Sequence, residues 1–286
     1  MGETMVPANG VDLCLETFGN RDDPTLLLIG GAAGSMDWWE DGFCRRLAAG
    51  ARFVIRYDHR DTGRSTSFPA GAPPYTYADL AGDALGVLDA LGVPRAHVVG
   101  LSMGGGLAQR LAVEDPFRLR SLTLISTSAT PTAETGPSSP AGPSSPAGTP
   151  CLAGEADDTD WSDRRAAVDR LVADVIAAGG RVTAAEPHLR RIAERVVDRT
   201  TDLRAAQTNH YLAGDGEPIR DRLGTITAPT QILHGTADPF FPMAHAETLA
   251  REIPGARLIP LAGVGHEYPP PAVWGIVIAE LLRHTA

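Results

Sequence analysis

The sequence contains no lysine, and all 25 of its basic residues are arginine. We interpret this bias as the composition of a GC-rich genome rather than as a functional device. The 35 acidic residues give a formal net charge of −10 at pH 7. Because phosphate groups repel such a chain, we expect neither nucleic acid nor an anionic membrane among its partners.

Cysteine and long apolar runs are also scarce. The three cysteines, Cys14, Cys44 and Cys151, form no CxxC pair and show no metal-ligand spacing. Their odd number argues against a disulfide framework, so we expect a cytoplasmic protein without a metal site. The longest apolar runs, residues 26–29 and 273–282, are too short to cross a bilayer. The first twelve residues lack a basic region followed by an apolar stretch, so we expect no signal peptide.

Short strand patterns alternate with helix patterns over the first 125 residues. The run at residues 26–29 is continuously apolar and lies between a proline and a glycine, which is typical of a strand buried on both faces. The alternation predicts an α/β fold with a doubly wound, mostly parallel sheet. We predict strands at Val11–Phe18, Thr25–Ile29, Phe53–Tyr57, 97–100 and 122–125.

The alternation stops after residue 128 and resumes near residue 226. The segment PSSPAG occurs twice, at 137–142 and 143–148, and its composition predicts a flexible low-complexity loop over 131–150. Two helix patterns without intervening strands follow. We therefore predict a core formed by residues 1–128 and 226–286, with residues 129–225 inserted as a helical cap. Strands are again predicted at 231–234 and 257–261.

Ser102 is the candidate nucleophile, in the G-x-S-x-G motif of residues 100–104. The motif alone has little specificity, and a glycine-rich turn that only packs a helix on a strand is the alternative. An apolar strand pattern precedes the motif, however, and a helix pattern follows it. This context is that of a nucleophile elbow, a sharp strand-to-helix turn that exposes the serine.

A serine nucleophile needs a base, and the base needs a group that orients it. Asp238 follows the strand predicted at 231–234, and His266 follows the one predicted at 257–261, so both lie where active-site residues of such sheets are found. The order Ser102, Asp238, His266 is the one expected for this type of elbow. An Asx turn before Pro239 is the alternative for Asp238. No carboxylate follows the strand predicted at 122–125, which favours Asp238.

Two backbone amides are expected to stabilise the oxyanion that forms during acyl transfer. One is the amide of Met103, directly after the nucleophile. The other is expected in the small-residue loop at 30–34, with Ala32 as first choice and Gly31 as second, because small residues let a backbone approach a ligand closely.

Three further residues are candidates for the substrate pocket. Trp38 follows the small-residue loop, and His210 and Tyr211 lie in the predicted cap. For His210, a structural histidine with its hydrogen bonds satisfied is the favoured alternative. Since the cap helices carry apolar stripes, we expect largely apolar pocket walls.

Together these motifs resemble those of the α/β-hydrolase superfamily, over both core segments. The segment DHRDTGRS at 58–65 adds to the resemblance, which implies a structural role for Asp58 and Arg60. The family's oxyanion loop usually begins His-Gly, whereas this chain has Gly30 at the histidine position. Residues 56–66 and 97–104 are similar to the aclacinomycin methylesterase-like serine esterases, which demethylate an anthracycline carbomethoxy group.

These features predict a cofactor-free serine hydrolase that cleaves a carboxylic ester of a small, largely apolar molecule through an acyl-enzyme. A cofactor-free perhydrolase or haloperoxidase, a C–C bond hydrolase and a lactonase could use the same three residues. A non-catalytic ligand receptor could retain them as well. A haloalkane dehalogenase is disfavoured because its nucleophile is aspartate.

Overall fold

The computed structural model describes residues 2–129 and 159–286. The repeats predicted to form a flexible loop at 131–150 lie outside these residues. The centre of the molecule is a sheet of eight strands in the order β1-β2-β4-β3-β5-β6-β7-β8. The strands are β1 (Thr4–Ala8), β2 (Val11–Phe18), β3 (Thr25–Ile29), β4 (Phe53–Tyr57), β5 (Ala96–Leu101), β6 (Leu119–Ile125), β7 (Thr230–Gly235) and β8 (Arg257–Leu261).

The sheet is mostly parallel, as predicted. Strands β3 to β8 pair in parallel, whereas β1 pairs with β2, and β2 with β4, in antiparallel fashion. Every residue of β3 is buried, because the side chains of this central strand alternate between two hydrophobic clusters. Leu27 and Ile29 belong to one cluster, and Leu26 and Leu28 belong to the other.

Helices cover both faces of the sheet, which confirms the doubly wound architecture. Between β6 and β7 the described residues form three consecutive α-helices, Arg164–Ala178, Glu186–Arg199 and Leu203–Leu212, which we call the inserted helices. The eight helices of the described residues are α1 (Asp41–Ala49), α2 (Tyr77–Ala90), α3 (Met103–Glu114), α4 (Arg164–Ala178), α5 (Glu186–Arg199), α6 (Leu203–Leu212), α7 (Met243–Glu252) and α8 (Trp274–His284). Over the described ranges, no helix is long and apolar enough to span a membrane.

The inserted helices have a small core of their own. The apolar faces of α4 and α5 pack together through side chains such as Leu171, Val172 and Val196. Two helices were expected in this region, and the third, α6, has no comparable apolar stripe. Its buried residues include Asn209 and His210, which are held by hydrogen bonds instead. The assignment of residues 129–225 to a separate cap stays a prediction.

Helix α5 is fastened to the core by a buried arginine. The Arg199 guanidinium donates to Asp58 Oδ2 at 2.8 Å and to Glu3 Oε1 at 2.6 Å, and it also contacts Asp37. Asp58 in turn accepts the amides of Met36 (2.8 Å) and Arg64 (3.1 Å). Burial raises the pKa of Asp58, and the neighbouring Arg199 charge and these hydrogen bonds oppose that rise.

Replacing Arg199 with alanine is expected to lower the free energy of unfolding by about 3 kcal/mol, because Asp58 would stay buried without its counter-charge. Arg165→Ala is a suitable control, since this side chain on α4 is 90 % exposed and pairs only loosely with Asp169. Urea unfolding of both variants measures the difference. Equal losses would show that the buried network does not stabilise the docking of α5.

Candidate active site

Ser102 lies on a strained turn between β5 and α3. Its φ of 52° is rare for a residue with a side chain and costs on the order of 1–3 kcal/mol. The two motif glycines make this turn possible. A Cβ atom on Gly104 would lie 2.5 Å from the Gly30 carbonyl oxygen, and one on Gly100 would lie 2.1 Å from the Gly104 carbonyl oxygen. The predicted strand–turn–helix context of Ser102 is therefore present.

Ser102, His266 and Asp238 form one continuous hydrogen-bonded chain. The Ser102 Oγ lies 2.8 Å from His266 Nε2, and His266 Nδ1 lies 2.9 Å from Asp238 Oδ2. Because a carboxylate can only accept, Nδ1 carries the ring hydrogen and donates it to Asp238. Nε2 is then free to accept the serine hydroxyl hydrogen. The structure thus brings together the three residues that were proposed from sequence, in the arrangement that proton transfer requires.

The environment of Asp238 favours its charged form. Burial opposes ionisation of this carboxyl, but the hydrogen bond and charge of His266 and the amides of Phe241 and Phe240 outweigh it. The pKa of Asp238 therefore lies below its ordinary value. The two amides donate to Oδ1 at 2.8 and 2.9 Å, which leaves Oδ2 for the histidine. The rings of Phe240 and Phe241 meet the His266 ring edge-on at about 5 Å and restrict its orientation.

The loop at residues 30–34 passes beside the serine. A Cβ atom on Gly31 would lie 3.5 Å from the Ser102 Cβ. The Gly31 amide, our second choice as an oxyanion donor, already donates to the Tyr268 hydroxyl at 2.9 Å. The amides of Ala32 and Met103 donate to no acceptor in the parts of the chain that the structure describes. Their role as the two donors stays a prediction.

A cavity of about 530 Å³ opens above the serine. Ser102 and His266 line it, and so do Trp38 and Tyr211, two of the predicted pocket residues. His210 does not line the cavity, because it is fully buried behind the loop at residues 30–34, with both ring nitrogens hydrogen-bonded. The remaining walls combine aromatic and aliphatic side chains with a few charged ones: Trp161, Phe240, Tyr268, Leu171, Val175, Ile192, Glu40, Asp174 and Arg204.

The sequence did not reveal the residues that hold the loop around His266 to the inserted helices. Glu267 Oε1 accepts hydrogen bonds from the Thr183 hydroxyl (2.8 Å), the Gly265 amide (3.2 Å) and the Gly180 amide (3.3 Å). The His266 amide donates to the Ala178 carbonyl at 2.7 Å. Adjacency to His266 was the only available signal for Glu267. Its other two partners, Gly180 and Thr183, come just after α4 and lie more than eighty residues earlier in the sequence.

The Glu267 carboxylate gives a test based on pH. Burial raises its pKa above the model-compound value of 4.5, so the folded state binds this proton more tightly than the unfolded chain. Stability from this residue is therefore lost as the pH rises through the window above 4.5. Glu267→Gln keeps an acceptor oxygen and has no charge, so its stability relative to the wild type is expected to increase between pH 5 and pH 8.

Urea unfolding of the wild type and Glu267→Gln at both pH values measures this change. Glu267→Ala is the control, because it loses the acceptor as well and is expected to be less stable than Glu267→Gln at both pH values. If the stability of Glu267→Gln relative to the wild type decreases with pH, the pKa of Glu267 is not raised in the folded protein.

No group of three or more histidine, cysteine, aspartate or glutamate side chains in the described ranges is arranged to hold a metal ion. The hydrogen-bonded chain at Ser102 has the groups that acyl transfer uses. It offers a hydroxyl, an imidazole nitrogen that faces the hydroxyl and a carboxylate that holds the imidazole, beside the amides of Ala32 and Met103.

Comparisons with known proteins show which family the chain resembles. A model of the family described as alpha/beta hydrolase fold matches residues 24–268. The rhodomycin D methylesterase of Streptomyces sp. (strain C5) is 34% identical over 313 aligned positions, covering 100% of this chain and 98% of that protein. The rhodomycin D methylesterase of Streptomyces peucetius is 33% identical with the same coverage.

Solved structures show the same fold. A hydrolase from Pseudomonas aeruginosa superimposes with a TM-score of 0.71 and 28% identity, covering 98% of both chains. An esterase from Rhodococcus sp. gives a TM-score of 0.75 at 21% identity, covering 100% of this chain and 98% of that one. At this identity, the comparison with the Rhodococcus esterase shows a shared fold and nothing more.

Proposed function

Because the chain belongs to the α/β-hydrolase-fold family, we propose that it is a serine hydrolase that cleaves carboxylic esters through an acyl-enzyme intermediate. The observation that carries the proposal is the unbroken chain of hydrogen bonds from Ser102 through His266 to Asp238, at 2.8 and 2.9 Å. Ser102 and His266 line a cavity large enough for an organic molecule.

In the proposed reaction, the Ser102 oxygen attacks the acyl carbon while His266 Nε2 takes the hydroxyl proton. Negative charge then develops on the carbonyl oxygen, next to the free amides of Ala32 and Met103. The positive end of α3 lies at the same place and favours that charge. The protonated His266, held by Asp238, returns the proton to the departing alcohol. A water molecule activated by the same imidazole then releases the acid.

The cavity and the relatives together suggest the kind of ester. Aromatic walls such as Trp38, Trp161 and Tyr211 favour a flat, largely apolar acyl group over a short aliphatic one. Two relatives of full length are named as methylesterases, so methanol is the leaving group that we propose first. The similarity of residues 56–66 and 97–104 to anthracycline methylesterases points to the carbomethoxy group of a polycyclic aromatic molecule.

A panel of esters tests the proposal. The protein is expected to hydrolyse p-nitrophenyl esters and to prefer methyl 9-anthracenecarboxylate over methyl acetate by about tenfold or more in kcat/KM, because the larger acyl group can pack against the aromatic walls of the cavity. Bromination of monochlorodimedone with peroxide, in the absence of ester hydrolysis, would favour a perhydrolase. Binding of the aromatic ester with no turnover of any ester would favour a receptor. Either result would overturn the proposal.

A further inference from the structure

Three side chains hold the loop at residues 30–34: His59 and His210 are fully buried, and Tyr268 is partly buried. The Gly31 amide donates to the Tyr268 hydroxyl at 2.9 Å, and the Ala33 amide donates to His210 Nδ1 at 3.0 Å. The Gly30 carbonyl accepts from His59 Nε2 at 3.1 Å. Within residues 31–34, Gly34 also uses its amide to close a turn on Gly31. Ala32 is thus the one position of these four, in the structure as described, whose amide donates to no protein acceptor.

His210 makes the most constrained of these contacts. It is fully buried on α6, and its Nε2 lies 2.8 Å from the Arg60 carbonyl oxygen. A carbonyl can only accept, so Nε2 carries the ring hydrogen. Nδ1 is then left with a lone pair, which is what the Ala33 amide needs. One neutral tautomer therefore satisfies both partners, and a protonated ring would place two donors face to face at Ala33.

The residue that His210 holds has an unusual backbone. Ala33 has a φ of 60°, a left-handed conformation that a residue with a Cβ rarely adopts. Such a conformation persists where surrounding contacts fix it. The His59 ring packs edge-on against His210 with 5.6 Å between ring centroids, so the two histidines support the loop together. Burial of His210 lowers its pKa, in keeping with a neutral ring.

We propose that His210 is a positioning residue for the oxyanion loop. As a neutral ring bridging the Arg60 carbonyl to the Ala33 amide, it fixes the left-handed turn that leaves the Ala32 amide free beside Ser102. It acts through the loop and touches no reacting atom. Since His210 belongs to an inserted helix, the proposal also links the insertion to the catalytic step. Its catalytic part rests on the proposed ester hydrolysis, whereas the bracing of the loop does not.

His210→Phe keeps a ring and removes both nitrogens. Kcat for a p-nitrophenyl ester is expected to fall about 10- to 100-fold, because a displaced oxyanion donor stabilises the transition state poorly. KM is expected to stay within about threefold of the wild type, because the side chain does not line the cavity. His210→Gln, which offers one donor and one acceptor, is expected to recover a large part of the loss.

Tyr77→Phe is the matched control. The Tyr77 hydroxyl donates to the His210 carbonyl oxygen at 3.2 Å, so this variant perturbs the same turn of α6 without touching the loop. Its kcat is expected to stay close to the wild-type value. Equal kcat values for His210→Phe and Tyr77→Phe would contradict a positioning role.

Two inhibitors separate positioning from a general loss of structure. A trifluoromethyl ketone adds to Ser102 and forms an oxyanion, whereas the methyl ketone of the same skeleton binds without one. His210→Phe is expected to weaken the first inhibitor by about the same factor as kcat and to leave the second unchanged. Equal weakening of both would show damage to the pocket and would overturn the proposal.

Two measurements do not depend on turnover. Amide hydrogen exchange in a peptide covering residues 30–36 is expected to be faster in His210→Phe than in Tyr77→Phe. Equal rates would show that His210 does not hold the loop in place and would overturn the proposal. If the wild type cleaves no ester, the proposed function fails, but the exchange rates of the two variants still show whether His210 holds the loop in place. If His210→Phe does not fold, ¹⁵N spectra of the wild-type protein at pH 7 test the proposal by showing which nitrogen of the His210 ring carries hydrogen. An Nε2–H tautomer is expected, and an Nδ1–H tautomer or a protonated ring would contradict the proposal.

Discussion

Ser102→Ala is expected to lower kcat by about 10³-fold or more, with little change in KM. The substitution removes the oxygen that attacks the acyl carbon and leaves the cavity walls in place. His266 Nε2 has the Ser102 hydroxyl as its hydrogen-bond partner. Without that hydroxyl, His266 would have to activate a water molecule to attack the ester. Residual turnover would come from the oxyanion amides and from binding of the ester.

Ser126→Ala provides a matched control for this variant. Ser126 is a buried serine with a positive φ of 42°, and it follows the neighbouring strand β6. Among the described residues its hydroxyl has no hydrogen-bond partner, so removing it is expected to change neither stability nor kcat noticeably. Steady-state kinetics with p-nitrophenyl butyrate and thermal unfolding of both variants provide the comparison. A Ser102→Ala enzyme within tenfold of the wild type would exclude Ser102 as the nucleophile.

Asp238→Asn is expected to lower kcat by roughly 10³- to 10⁴-fold. The asparagine oxygen can keep the amides of Phe240 and Phe241, which leaves the NH₂ group facing His266 Nδ1. Two donors would then meet, so the imidazole is driven to the tautomer with hydrogen on Nε2. In that tautomer the ring cannot accept the Ser102 proton. The loss therefore reflects a wrong tautomer rather than a disordered site.

A double variant tests this explanation. Because Asp238 acts only through His266 on Ser102, Asp238→Asn is expected to cause little further loss in a Ser102→Ala background. Kcat is measured for both single variants and for the double variant at one pH near 8, where the lowered pKa of Asp238 keeps this carboxyl ionised in the wild type. Losses that multiply in the double variant would mean that Asp238 acts independently of the nucleophile.

The sequence predicted the central sheet and the three candidate catalytic residues because their signals are local. Strand β3 is an unbroken apolar run, and a central parallel strand requires just such a run. The elbow around Ser102 combines a strand, close-packed glycines and a helix within a few residues. Asp238 and His266 each follow a strand that reads clearly from its apolar residues.

The elements that the sequence did not reveal depend on distant partners. Strand β1 is short, contains Pro7 and is stabilised as an edge strand by antiparallel pairing with β2. Helix α6 buries Asn209 and His210 through hydrogen bonds, so an apolar periodicity could not mark it. Arg199 meets Asp58 across 141 positions of sequence. Such contacts arise only once the inserted helices are placed on the core.

The predicted pocket residues illustrate the same limit. Trp38 and Tyr211 line the cavity, whereas His210, next to Tyr211 in sequence, faces away from it and contacts the oxyanion loop. Neighbouring positions of a helix point in directions about 100° apart, so a single helix can serve the pocket and the loop at once. The sequence named both as pocket candidates, but only Tyr211 lines the cavity, and His210 is the hydrogen-bonded structural histidine that was given as its alternative.

The most direct test of the account is reaction of the wild-type protein with a fluorophosphonate, followed by intact mass measurement and peptide mapping. Attack by an activated serine on phosphorus expels fluoride and leaves a stable phosphonyl adduct. We expect one adduct per chain, located on Ser102, with loss of ester hydrolysis in proportion to labelling and no adduct in Ser102→Ala. An unlabelled protein, or full labelling at another residue with Ser102 unmodified, would contradict the assignment of Ser102 as the nucleophile.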